Sequence, residues 1–178
     1  MATNLHFLKK FTLVDTVTSA YNLGTTSDKF FTDDFDVYFM TTDFSGSTTN
    51  PEAIQMRLID SSGSVLSGSN YDRATYRMFS HASFGEQKNV NATSWTGIWG
   101  EYDQAPENAL ASGYIFNPAD SSSYTFVASQ SASKEVGNLT ARKSIAVYKV
   151  AETIIGVQFL VTNTDYFNNA IVKLYGVK

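Results

Sequence analysis

Cysteine is absent from this 178-residue chain, histidine occurs twice, and charged side chains make up only 17% of it. Without cysteine there are no disulfides, thiol nucleophiles or thiolate metal sites, although the compartment stays open. Thirteen basic against 17 acidic residues leave a net charge of −4, with no Lys/Arg cluster. Nucleic acid is therefore excluded as a main partner, because phosphate neutralisation needs a basic face. Long hydrophobic runs are also missing. The longest apolar patches, such as Ile154-Ile155-Gly156-Val157, are far too short to cross a bilayer, so membrane insertion is not expected. Lys9 and Lys10 interrupt the apolar N-terminal stretch, where an export signal keeps its hydrophobic core free of charge. The expectation is a soluble protein made in the cytosol.

What is present is 43% apolar residues, 25 aromatics, 20 Ser and 19 Thr. That composition excludes a disordered chain, and the length suits one domain able to bury a core. Period-two alternation dominates: Phe35, Val37 and Phe39 against Asp36, Tyr38 and Met40, then Ile54, Met56 and Leu58 against Gln55, Arg57 and Ile59. It recurs at Tyr114–Phe116, Tyr124–Ala128, Ile145–Val147, Val157–Val161 and Ile171–Val177. Such alternation belongs to half-buried strands. Turn formers fill the gaps, among them Ser45-Gly46-Ser47, Asn50-Pro51, Ser61-Ser62-Gly63 and Asn117-Pro118-Ala119-Asp120. No segment sustains a helical period, and only Pro106–Ala111 is read as a turn of helix. Eight to ten closely spaced strands imply an all-β fold, an antiparallel β-sandwich of jelly-roll type. Aromatics are expected to mark the strand faces, Ser and Thr their outer faces and turns. Residues 1–24 read as an N-terminal arm or first strand, and 25–178 as the sandwich.

Chemistry is sparse. His6 and His81 form no metal-binding pair, and Ser80 beside His81 points to the opposite strand face, so the two do not make a nucleophile–base pair. The run Gly63–Ser69 has the glycine spacing of a phosphate loop without its lysine, and no Gly-x-Ser-x-Gly elbow occurs. Asp33, Asp34 and Asp36, with Asp28 and Asp43 nearby, admit a surface cation or a solvated acidic loop; the calcium-loop pattern is absent. Glu101 and Asp103 are paired carboxylates with no visible pKa-raising setting. No catalytic residue, metal site or cofactor is expected. Asn91-Ala92-Thr93 and Asn138-Leu139-Thr140 match the glycosylation acceptor without an export signal to support its use. The richest segment for binding is Ser94–Gln104. There Trp95 and Trp99 share a strand face and Tyr102 follows, an array suited to stacking on a sugar or to gripping a protein. Trp95, Gly97 and Trp99 also read as a core-facing strand, and of the two readings the core is favoured.

Several segments taken in order carry a resemblance: Phe35–Phe39, Met56–Gly63 leading to Ser69-Asn70-Tyr71, Tyr114–Pro118 followed by Ser123–Phe126, a strand from Ile154 to Val161, and the finish Val172–Lys178 with its Leu-Tyr-Gly-Val-Lys. From about Phe30 onward the chain resembles jelly-roll virion structural proteins of tailed bacteriophages from marine and environmental sources. The resemblance implies a place in the virion, as a capsid decoration, head-fibre/knob or tail-fibre component. It implies partners among copies of the chain itself and the major capsid or tail proteins, with a host surface glycan as ligand on the tail alternative. No catalytic residue comes with it. A chain opening at its own Met1 with little beyond one domain is expected to act as a unit added in many copies, its arm and one sandwich edge touching neighbouring subunits.

Overall fold

The computed structural model describes residues 4–14, 18–47, 52–102, 108–135, 137–161 and 166–178. Among these the chain is all-β, with twelve strands: β1 (Leu5–Leu13), β2 (Ala20–Leu23), β3 (Val37–Ser47), β4 (Glu52–Asp60), β5 (Tyr71–Phe79), β6 (Gly85–Ala92), β7 (Trp95–Tyr102), β8 (Ala109–Phe116), β9 (Thr125–Glu135), β10 (Asn138–Tyr148), β11 (Ile154–Leu160) and β12 (Tyr166–Val177). They build two antiparallel sheets. The larger has the order β1-β12-β3-β8-β9-β10-β5-β6, the smaller β2-β11-β4-β7. The chain passes repeatedly between the two sheets of this β-sandwich, while β5-β6 and β8-β9-β10 follow one another within the larger sheet. β7 packs on β8, β9 and β10, closing the sandwich over the middle of the large sheet.

The antiparallel sandwich follows from the alternation, but twelve strands replace the eight to ten expected. The additions are β5 and β6, whose polar sequences Tyr71–Phe79 and Gly85–Ala92 alternate weakly, and the N-terminal pair. Residues 1–24 are divided: β1 pairs with β12 at the edge of the large sheet, from Leu5 opposite Val177 to Leu13 opposite Ala170, and β2 pairs with β11 in the small sheet. The helical turn expected at Pro106–Ala111 is not formed over its described part, because Ala109–Ala111 begin β8 and pair with β3 from Phe44 to Thr42. Residues 106 and 107 lie outside the described residues.

The interior has two chemistries. On one side Phe44 sits between Phe159 and Phe167 at centroid distances of 4.9 and 5.2 Å, joined by Met40, Ile54, Met56, Val172 and Leu174. At the other end of the sandwich Tyr71 packs against Tyr148 and edge-on to Trp95, and its hydroxyl donates to the Leu66 carbonyl and accepts from the Leu58 N–H. Burial pushes the Tyr71 and Tyr148 phenols up from their ordinary range. Between these clusters the inner face of β9 and β10 is polar. Ser129, Ser131, Ser133, Thr140, Arg142 and Ser144 are all buried, while Phe126, Ile145 and Leu139 on the same strands face out. This corrects the expectation that Ser and Thr lie outside. Ser129 donates to the Ile98 carbonyl, Ser144 pairs with Thr75, and Ser133 pairs with Thr140, whereas the Ser131 hydroxyl is buried without a hydrogen-bond partner. Small hydroxyl side chains also leave room beneath β7 for the guanidinium of Arg142.

Candidate functional site

Side chains of a strand alternate between faces, so the register of the large sheet fixes which residues stand together on its outer surface. One row crosses all eight strands: Phe7, Tyr175, Phe39, Tyr114, Ala128, Ile145, Ala74 and Lys88. The rings touch in sequence, Phe7 on Tyr175 at 5.5 Å, Tyr175 on Phe39 at 6.0 Å and Phe39 on Tyr114 at 5.1 Å. The next row reads Leu5, Val177, Val37, Phe116, Phe126, Val147 and Asp72. Together they form an apolar band two residues deep across the sheet. Phe7, Tyr114, Phe126 and Ile145 are each between 42% and 65% exposed, so the band lies open rather than folded away.

On its other side the band borders a polar row: Lys10, Lys173, Thr41, Ser112, Gln130, Lys143, Tyr76 and Glu86. Shallow hollows lie over the middle of the sheet, one towards β5 and β6 and one reaching back to β8 and β3. One of about 510 Å³ is lined by Ala74, Val90, Phe116, Phe126, Ala128 and Val147. Another of about 330 Å³ lies between Phe39, Tyr114, Lys143 and Ile145. At the margin, Asp72 accepts from Lys149 at 2.8 Å and from the Asn91 N–H at 2.7 Å. The lysine hydrogen bond, then the Asn91 amide, hold its carboxyl below the usual range. The band is mostly uncharged, with apolar knobs and hollows, the kind of exposed apolar surface that marks interaction sites.

No family model matches the chain, and no curated protein or solved structure matches it.

The sequence-derived binding residues lie elsewhere. Trp95 and Trp99 are wholly buried, so neither ring is presented to a ligand; this corrects their reading as stacking groups. The Trp95 indole N–H donates to the carbonyls of Asp72 and Val147 at 3.1 and 3.2 Å, and Trp99 stands edge-on to Phe159 at 6.3 Å. Both lie on the face of β7 that packs on the large sheet, and the strand bulges between and beyond them. Its pairing with β4 jumps from Thr96 opposite Gln55 to Glu101 opposite Ala53, and Gly97 and Gly100 adopt positive φ in the interval. The Tyr102 side chain and Asp103 lie outside the described residues.

Glu101 forms an ion pair with Arg142 of β10 and a second, at 3.4 Å, with Arg77 of β5. It bridges the two sheets, and Arg142 also donates weakly to the Gly97 carbonyl. A Cβ at Gly97 would collide with the Arg142 guanidinium, which is why glycine occupies the bulge. Arg73 stands nearby; burial, then the charge of Arg142, lower its pKa. The sequence signal available for this cluster was Arg73 and Arg77 four apart, on one strand face.

The remaining candidates are structural or dispersed. His6 packs tilted against Phe35, and His81 stands edge-on to Phe79. Asp28 pairs with Lys9, Asp34 accepts from the Thr32 hydroxyl, and Asp43 accepts from Asn108. Among the described residues no three carboxylate or histidine side chains gather as metal ligands. In the Gly63–Ser69 loop Asp60 accepts from the N–H groups of Ser62 and Ser64 and from the Ser62 hydroxyl, and the last of these leads in lowering its pKa. The loop is thereby a self-capped turn. Asn91 lends its side-chain carbonyl to Lys149 at 2.6 Å.

Proposed function

We propose that the protein is a non-enzymatic structural component of a tailed-bacteriophage particle, a capsid decoration or head-fibre/knob subunit carried in many copies. The observation that carries this reading is the open apolar band on the outer face of the eight-stranded sheet. A rigid sheet with an uncovered apolar face gains free energy by packing on another surface, and assembly in many copies supplies one. The segments that resemble phage virion proteins fall largely on the sandwich strands β3, β4, β8, β9, β11 and β12. The edge strand β1 belongs to the N-terminal region and offers a second contact, since sheet edges pair with other chains unless shielded. The partners in this reading are further copies of the chain and the major capsid or tail proteins. A glycan-binding role on the tail loses its two tryptophans to the core.

The test is labelling of purified source particles with an antibody to this protein, read by electron microscopy, together with co-sedimentation of recombinant protein with particles stripped of it. Regular labelling of heads and saturable rebinding are expected. Absence of the protein from purified particles overturns the reading.

A further inference from the structure

We propose that a second copy of this chain packs face to face on the apolar band, related by a two-fold axis that runs along the strands between β8 and β9. This deepens the assembly reading and rests on its assignment of the band as a contact surface. The axis position follows from the sheet itself, since four strands lie on each side of it. The two halves are not alike. On the β1-β12-β3-β8 side the central row carries four rings, Phe7, Tyr175, Phe39 and Tyr114; on the β9-β10-β5-β6 side it carries Ala128, Ile145, Ala74 and Lys88, with the hollows over Ala128 and Ala74. Rotation about that axis sets each half on the other. Tyr114 then meets Ala128 of the second copy, Phe39 meets Ile145, Tyr175 meets Ala74, and Phe7 meets Lys88, a cation over an aromatic ring. Large side chains enter hollows, as two packed sheets require.

The charges agree with the same operation. In the polar row Lys10 comes to face Glu86 of the second copy, Lys173 faces Tyr76, and Lys143 faces Thr41, with no like charges opposed. A two-fold axis along the central row instead would set Lys88 on Lys88, so the strand-parallel axis is the one that fits. The area suffices as well. At their observed exposure Phe7, Tyr114 and Phe126 each offer roughly 100 Å². With Leu5, Val90, Ile145 and the half-buried residues between them, the band approaches the order of 800 Å² that each partner contributes to a stable interface. The largest apolar patch of a typical monomer is about 300–600 Å².

The experiment is sedimentation of the full chain, with Tyr114→Lys as the disrupting variant. Ala128→Cys serves as a reporter beside the axis, in a protein that has no cysteine of its own. The wild type is expected at twice the 19.6 kDa chain mass, and Tyr114→Lys at the chain mass with unchanged circular dichroism. Because packed sheets stand about 10 Å apart, beyond disulfide reach, Ala128→Cys is expected to be linked into a covalent dimer by a short bis-maleimide spacer, whereas Leu139→Cys, exposed on the same sheet away from the band, is not. A monomeric wild type with an unlinked Ala128→Cys, or linkage through Leu139→Cys instead, overturns the proposal. Should monomers still rebind particles and lose that binding on Tyr114→Lys, the dimer falls and the virion reading stands. Should dimers form and the protein be absent from particles, the dimer stands and the virion reading falls.

Discussion

Replacing Glu101 by glutamine tests whether the ion-pair cluster holds the two sheets together. The Glu101 side chain is 12% exposed and that of Arg142 is 1% exposed, so water screens this pair little. Glutamine keeps the shape and one acceptor but removes the only carboxylate among the described residues that bridges Arg142 and Arg77. Two guanidinium groups then face each other across β5 and β10, where Arg142 stands directly opposite Arg77, with Arg73 close by. At an effective dielectric constant near 20, a pair about 4 Å apart is worth about 4 kcal/mol. Breaking a buried pair by removing one partner costs about 3–5 kcal/mol by mutational experience. The two routes agree. For a domain of this size such a loss lowers Tm by about 6–20 °C. The assay is urea unfolding followed by tryptophan fluorescence, since both tryptophans are buried and report exposure. The midpoint is expected to fall with an unchanged slope. Arg142→Gln alone should cost a similar amount, and the double variant about 0.5–3 kcal/mol less than the two single losses combined. A loss below about 1 kcal/mol for Glu101→Gln, the value of a solvent-exposed pair, would refute the argument.

Three further outcomes are expected. Trp99→Ala should destabilise the fold by about 3–5 kcal/mol, as a large core truncation does; a variant of unchanged stability in thermal unfolding would place the ring on the surface. Gly97→Ala should cost about 2 kcal/mol or more in denaturant titration, because an L side chain at φ +71° is strained and its Cβ meets Arg142. The phenols of Tyr71 and Tyr148 are held above their ordinary value of 10. In the unfolded chain they release protons first, so stability is full below pH 10 and falls as pH rises beyond it. Denaturation midpoints constant from neutral pH to well above 10 would contradict this.

The alternation at Ile54–Ile59, Tyr114–Phe116, Val157–Val161 and Ile171–Val177 announces strands, and strands are there. It leaves open which alternate face is inside. In β10, Ile145 looks like core and Ser144 like surface, yet Ser144 is buried and Ile145 is 65% exposed. Period two is a property of one strand; inside and outside are decided by what packs on the sheet. The same reason hid the candidate surface, whose residues come from eight strands and adjoin only through register. β5 and β6 escaped notice because Arg73, Arg77 and Gln87 on their inner faces are polar, their burial depending on β7 above them. Trp95 and Trp99 were legible as a pair on one strand face, but that this face is the inner one depends on the sheet packed against it, through contacts such as that of Gly97 with Arg142, 45 residues apart in sequence.

Cysteine-free, histidine-poor composition and strand periodicity are local properties, and they determined by themselves that this chain is an all-β sandwich without a thiol or zinc-finger chemistry to offer. Tertiary structure decided the rest: which serines are buried, which isoleucine is exposed, that Glu101 binds two sheets, and that aromatic residues from four strands line up in one row. These depend on register and on the packing of one sheet over part of another, quantities that no window of neighbouring residues contains.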